Sequence, residues 1–186
     1  MFLDIGLGII TAILFSSYFH FELSFLLIPA IIFSLLPDLD FVLYKVFDIH
    51  PAKGYKHRDL FHYPLLYSLI GFIAIYVLFN RWYPWLFLVI SFLHFVHDSI
   101  AYGCGIKWLF PFSKDGYAFF YLYSRVNKKG LWQPVFIFNE ETIKKFDEEH
   151  GDEDWIKNIY FKFHLIAIIE TLVFIVSLIW LYFYTR

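Results

Sequence analysis

The chain has 186 residues, of which 60% are hydrophobic, 24% aromatic and only 17% charged, with a formal net charge of -2. That much apolar surface cannot be hidden in one water-soluble core of this length, and the same figures exclude disorder, collagen and coiled coil. One cysteine, Cys104, excludes an internal disulfide framework, and the charge balance offers no footprint for nucleic acid.

The fold class expected is all-α: an integral membrane helical bundle of about five transmembrane helices with a small α+β extramembrane segment. A bilayer core of about 30 Å needs about 20 mostly apolar residues in helix. In chain order the candidates are Phe2 to about Tyr18, about Phe21 to Leu36, about Leu60 to Phe79, about Trp82 to Tyr102, and about Tyr160 to Tyr184. The first two are short by this measure and fit a compact hairpin or a thinned bilayer. The first has no basic leader region or small-residue cleavage site, which predicts a retained helix.

With five spans, the N-terminus, the 37–59 loop and the long 103–158 segment share one membrane face. That face collects Lys45, Lys53, Lys56 and Arg58, and later Lys107, Lys114, Arg125, Lys128, Lys129, Lys144, Lys145 and Lys157. The asymmetry predicts a multi-pass protein of the cell's inner membrane with this face cytoplasmic. Three regions follow: a four-helix membrane core at 1–112, a cytoplasmic-side insertion at 113–158, and a last transmembrane helix at 159–186. Within the insertion, two apolar and aromatic runs (117–126 and 132–138) flank the polar turn Asn127-Lys128-Lys129-Gly130, which predicts a β-hairpin. From Glu140 the charges take helical spacing up to Gly151, and Asp152 is placed to cap a short continuation. The acidic run 147–154 reads as a solvated helix face.

Ionisable residues at membrane depth cost on the order of 2.5–3.5 kcal/mol each, so each needs a partner or a purpose. Here they gather at span ends: Asp4 opens the first span, and Asp38 and Asp40 follow the second. His57 and His62 flank the start of the third, and His94, His97 and Asp98 close the fourth. In the five-span arrangement all of them reach the basic face. His94 and Asp98, four apart, project from one side of a helix. Asp38 and Asp40, two apart, face one pocket if that stretch is extended. Imidazoles mixed with carboxylates, without cysteine, suit zinc or another divalent first-row metal. His20, His50, His150 and His164, by contrast, read as structural or solvated, and Glu170 as an interhelical hydrogen-bonding group.

In order along the chain stand Leu36-Pro37-Asp38-Leu39-Asp40, His57-Arg58 followed by His62, His94-x-x-x-Asp98, Gly105 and Pro111-Phe112. This series resembles the YdjM-like family of membrane-bound metal-dependent hydrolases, which are distantly similar to zinc-dependent phospholipase C and nuclease-type phosphoesterases. The resemblance spans roughly residues 1–113. Asp59, Phe61 and Tyr63 stand where the family pattern has glycine, threonine and serine, and Asp4 occupies the approximate place of an N-terminal histidine, where a carboxylate is also a competent ligand.

The resemblance implies hydrolysis of a phosphoester, with a membrane lipid as one substrate class, using one or two divalent metals, zinc foremost. Asp38, Asp40, His57, His62, His94 and Asp98, with Asp4, are the implied ligands. Arg58 suits bidentate grip of a phosphate. Asp40 or Asp98 suits proton acceptance from water, and His97 suits an orienting or additional ligand role. Two other classes use the same residues: a metal or proton transporter, and a non-catalytic membrane scaffold whose polar cluster only joins helices.

Overall fold

A computed structural model describes residues 2–46, 61–79, 81–100, 105–126, 131–152 and 154–186. In chain order these form α1 (Phe2–Phe19), α2 (Leu23–Leu35), α3 (Leu39–Val46), α4 (Pro64–Leu78) and α5 (Tyr83–Ile100). The antiparallel pair β1 (Gly116–Tyr121) and β2 (Leu131–Phe138) follows, then α6 (Glu140–His150), a π-helical turn (Lys157–Phe161) and α7 (Leu165–Tyr184). Among the described residues, α1, α5 and α7 are long and apolar enough to cross a membrane, while α2 and α4 are apolar but shorter. About five spans were expected; three reach full length. Proline shortens the other two. Pro37 has no N–H with which to continue α2, and Pro64 takes the first helical position of α4, where its missing donor costs nothing. His62 therefore lies ahead of α4 rather than inside it.

The chain divides into two units. The first comprises Met1–Pro37, Ser68–His94 and Ala167–Arg186 and holds α1, α2, most of α4 and α5, and nearly all of α7. Its interior mixes large apolar side chains such as Ile13, Leu86 and Phe87 with many small or polar ones: Asp4, Gly6, Gly8, Thr11, Ala12 and Ser16 on α1, and Ala167, Glu170 and Ser177 on α7. The large aliphatics of α7, among them Leu172, Val176 and Ile179, face outward. This inversion of a soluble helix is what lipid contact produces, because lipid tails reward close backbone packing rather than aliphatic burial. A β-carbon on Gly8 would stand 2.9 Å from the carbonyl oxygen of Ala30 on α2, and one on Gly6 3.1 Å from Cα of Phe174 on α7. Their absence lets α1 approach both neighbours, and the Tyr184 hydroxyl meets Ser16 Oγ at 3.1 Å at the far end of the α1–α7 contact.

The second unit, Asp38–Tyr67 and Phe95–Ile166, holds α3, the C-terminal turn of α5, the hairpin and α6. The predicted hairpin forms, with Gly116 opposite Phe138 and Phe119 opposite Val135; its connecting turn, 127–130, lies outside the described residues. Ala118, Phe136 and Phe138 point to one side and pack with Ile143 and Phe146 of α6. Asn139 caps α6, accepting from the backbone of Glu141 and Thr142 while the Thr142 hydroxyl returns to the Asn139 N–H. Gly105, at φ +75°, leads from α5 into a bridge in which Ile106 and Tyr117 exchange backbone hydrogen bonds of 2.9 and 2.8 Å. Trp108 then donates from Nε1 to Ser99 Oγ at 2.9 Å, tying this stretch to the end of α5.

One expectation for this unit is overturned. Asp152 is not part of a solvated acidic face; it is buried, and its carboxylate accepts from the Tyr123 hydroxyl, from Asn158 Nδ2 at 2.8 Å and from the Asp154 N–H at 3.0 Å. The last of these contacts is the capping role expected of it. Hydroxyl and amide donors compensate the buried charge, which run composition does not reveal. Asp152→Ala leaves Tyr123 and Asn158 without this acceptor and is expected to lower stability by about 1–3 kcal/mol, read from the unfolding midpoint in detergent. His150 and His164 are structural as expected: His150 Nδ1 meets Ser124 Oγ at 2.9 Å, and His164 packs edge-on to Tyr123.

Candidate metal centre

Asp38 and Asp40 owe their positions to a short helix rather than to the extended stretch expected from their spacing. Asp38 precedes α3 and its carbonyl accepts from the Val42 N–H, as aspartate at a helix start does. Asp40 lies in the first turn of α3 and is fully buried. Its Oδ1 accepts from the Phe41 N–H at 2.6 Å, and its Oδ2 stands 2.6 Å from Nδ1 of His62.

His62 is 2% exposed, with Phe95 edge-on to its ring. Its second nitrogen, Nε2, lies 3.0 Å from Oδ2 of Asp98. The imidazole is thus flanked by carboxylates on both nitrogens. Burial opposes its charge, but the bonds to Asp40 and Asp98 outweigh that penalty and raise its pKa to about 9. Asp38, His62 and Asp98 each bring one ligand atom within 4.8 Å of one another. His97 is peripheral to this group, with Nδ1 4.0 Å from Oδ1 of Asp98.

A second polar group forms where α1, α2 and α5 meet. Nδ1 of His94 donates to the Ser34 carbonyl oxygen at 3.0 Å and lies 3.1 Å from Oδ1 of Asp4. All three side-chain environments are closed to water, with His94 1% and Asp4 2% exposed. A carbonyl only accepts, so the neutral His94 ring carries its proton on Nδ1 and its lone pair on Nε2. His94 and Asp98 lie on α5 one helical turn apart, as their spacing requires.

Of the candidates from sequence, Asp38, Asp40, His62 and Asp98 come together, and Asp4 meets His94. His57 and Arg58 lie outside the described residues. Sequence reasoning missed the Ser34 carbonyl, because a backbone acceptor carries no residue signature. It also missed the division of labour between Asp38 and Asp40, since both look alike in the motif.

The donor set fits a divalent cation. One borderline imidazole nitrogen with two carboxylates suits zinc and its first-row neighbours. In both histidines Nδ1 meets an oxygen acceptor, the arrangement by which outer groups orient a ligating imidazole through its other nitrogen.

The model of the YdjM inner membrane protein family matches residues 4–185. The chain belongs to this family. The match runs from α1 to the end of α7, so membership extends past residue 113, where the resemblance carried by the motifs stops, and takes in the hairpin and α6. Membership and the apolar helices together place the protein in the inner membrane. No curated protein and no solved structure matches the chain.

Proposed function

We propose that the protein is a membrane-bound metal-dependent hydrolase that cleaves a phosphoester, with a membrane lipid as the favoured substrate class, at the cytoplasmic face of the inner membrane. One observation carries this reading: Nε2 of His62 faces Asp98 at 3.0 Å, with Asp38 close by, while Nδ1 is already held by Asp40. A nitrogen and a carboxylate oxygen that face each other at that distance can share a proton or a metal ion, and a buried site with a third carboxylate suits a metal. Asp38, His62 and Asp98 are the ligands, joined, from their places in the motif, by His57 and His94. Asp40 orients His62, and Asp4 with the Ser34 carbonyl orients His94.

A bound divalent ion supplies an acidified water and charge neutralisation at the phosphoryl oxygens. Arg58, beside His57, grips the phosphate. Asp98, with one oxygen facing His62, accepts the water proton through the other. The concentration of lysine and arginine in the 37–59 and 103–158 segments supports the cytoplasmic orientation.

The same geometry admits a second reading, in which a proton rather than a metal lies between His62 and Asp98 and the cluster only joins helices. Elemental analysis of the purified protein, combined with a screen of phosphomonoester, phosphodiester and phospholipid hydrolysis, separates the two. Stoichiometric zinc that disappears in Asp98→Ala, with release of phosphate or headgroup by the wild type, is the expected result. No metal in either protein favours the scaffold, and metal with ion flux across sealed vesicles but no hydrolysis favours a transporter.

A further inference from the structure

The hairpin breaks the rule that governs two-layer antiparallel structure. One face packs on a helix through Ala118, Phe136 and Phe138, so the opposite face should be polar. Instead it presents the cross-strand pairs Tyr117–Ile137 and Phe119–Val135. Ile137 is 60% exposed and Val135 42%. The charged residues lie on the other side of the layer: Glu141, Lys144, Lys145, Glu148 and Glu149 are exposed along α6. The hairpin and α6 together are therefore amphipathic, with an apolar aromatic sheet face below and a charged helix above.

We infer that the Tyr117/Phe119/Val135/Ile137 face of the hairpin is a membrane-docking surface that seats in the headgroup and upper acyl region of the bilayer. Its attachment sets where it lies. The Ile106–Tyr117 bridge and the Trp108–Ser99 hydrogen bond fasten the hairpin to the C-terminal end of α5, a helix of membrane-crossing length. A sheet anchored at that point stands at the membrane boundary. Its composition matches the boundary too, since a tyrosine and a phenylalanine beside branched aliphatics favour the interface, and charge on the far side favours water.

Photo-crosslinking tests this in the full-length protein, reconstituted into vesicles of phosphatidylethanolamine and phosphatidylglycerol. A benzophenone amino acid is placed at Ile137 or Phe119, and at Lys144 or Glu148 on α6 as controls; position 135 replaces 137 if that variant does not fold. The expected result is a phospholipid adduct, seen by mass, at 137 and 119 and its absence at 144 and 148. Val135→Lys with Ile137→Lys should reduce the adduct at 119 by roughly tenfold while leaving the elution of the folded protein in detergent unchanged. Equal lipid labelling on both faces overturns the assignment. So does a crosslinked dimer at 137, which would mean a second copy covers the face, or a crosslink to another segment of the same chain.

Discussion

His62→Ala is expected to abolish metal binding and to reduce phosphoester hydrolysis at least about 100-fold. The imidazole is the only group touching both Asp40 and Asp98 among the contacts of the described residues, and it is almost wholly buried. Removing it takes away a ligand and also leaves Asp40, fully enclosed, facing a cavity instead of a cation. Breaking one side of a buried pair costs about 3–5 kcal/mol, so the variant should also unfold at lower temperature than the wild type. Two companions separate the chemistry from the stability loss. Asp98→Ala removes a ligand whose carboxylate is 14% exposed, and should lose metal with a smaller shift in unfolding. Asp40→Asn keeps the size of the side chain behind His62 and should weaken metal binding by about 10–100-fold without abolishing it. Metal content, turnover and unfolding midpoint measured on the same preparations decide the matter. Full metal and full turnover in His62→Ala would remove this centre from consideration.

Gly105→Ala should destabilise the second unit by at least about 2 kcal/mol, the sum of a left-handed backbone and a steric clash. Gly105 adopts φ +75°, where an alanine is strained, and a β-carbon there would lie 2.7 Å from both C and O of Tyr117. Those atoms are backbone, and they belong to the strand that exchanges hydrogen bonds with Ile106. They cannot move aside without breaking the bridge that fastens the hairpin to the end of α5. The expected signature is early proteolytic cleavage within residues 105–138, followed by a lower unfolding midpoint. A variant as resistant and as stable as the wild type would mean that the bridge contributes little to holding the hairpin in place.

The motif series and the composition made much of this legible. Apolar runs interrupted by acids and histidines identified a helical membrane protein, and the spacing of His94 and Asp98 placed both on one side of α5 because a helix repeats every 3.6 residues. The hairpin was readable from its polar turn between apolar strands, and α6 from its charge spacing after Asn139. These are local properties, determined by residues a few positions apart, so the order of amino acids by itself settles them.

What only the tertiary structure decided is which polar groups meet. Asp38 and Asp40 are indistinguishable in Leu36-Pro37-Asp38-Leu39-Asp40, yet α3 turns Asp40 to the back of His62 and leaves Asp38 near the His62–Asp98 pair. Asp152 looked like one more solvated acid until Tyr123 and Asn158, distant in sequence or a turn away, supplied donors that make its burial affordable. The Ser34 carbonyl that orients His94 lies sixty positions away from it and has no signature at all. Such partnerships depend on long-range approach of chain segments, and a buried charge is stable only where that approach delivers a compensating group.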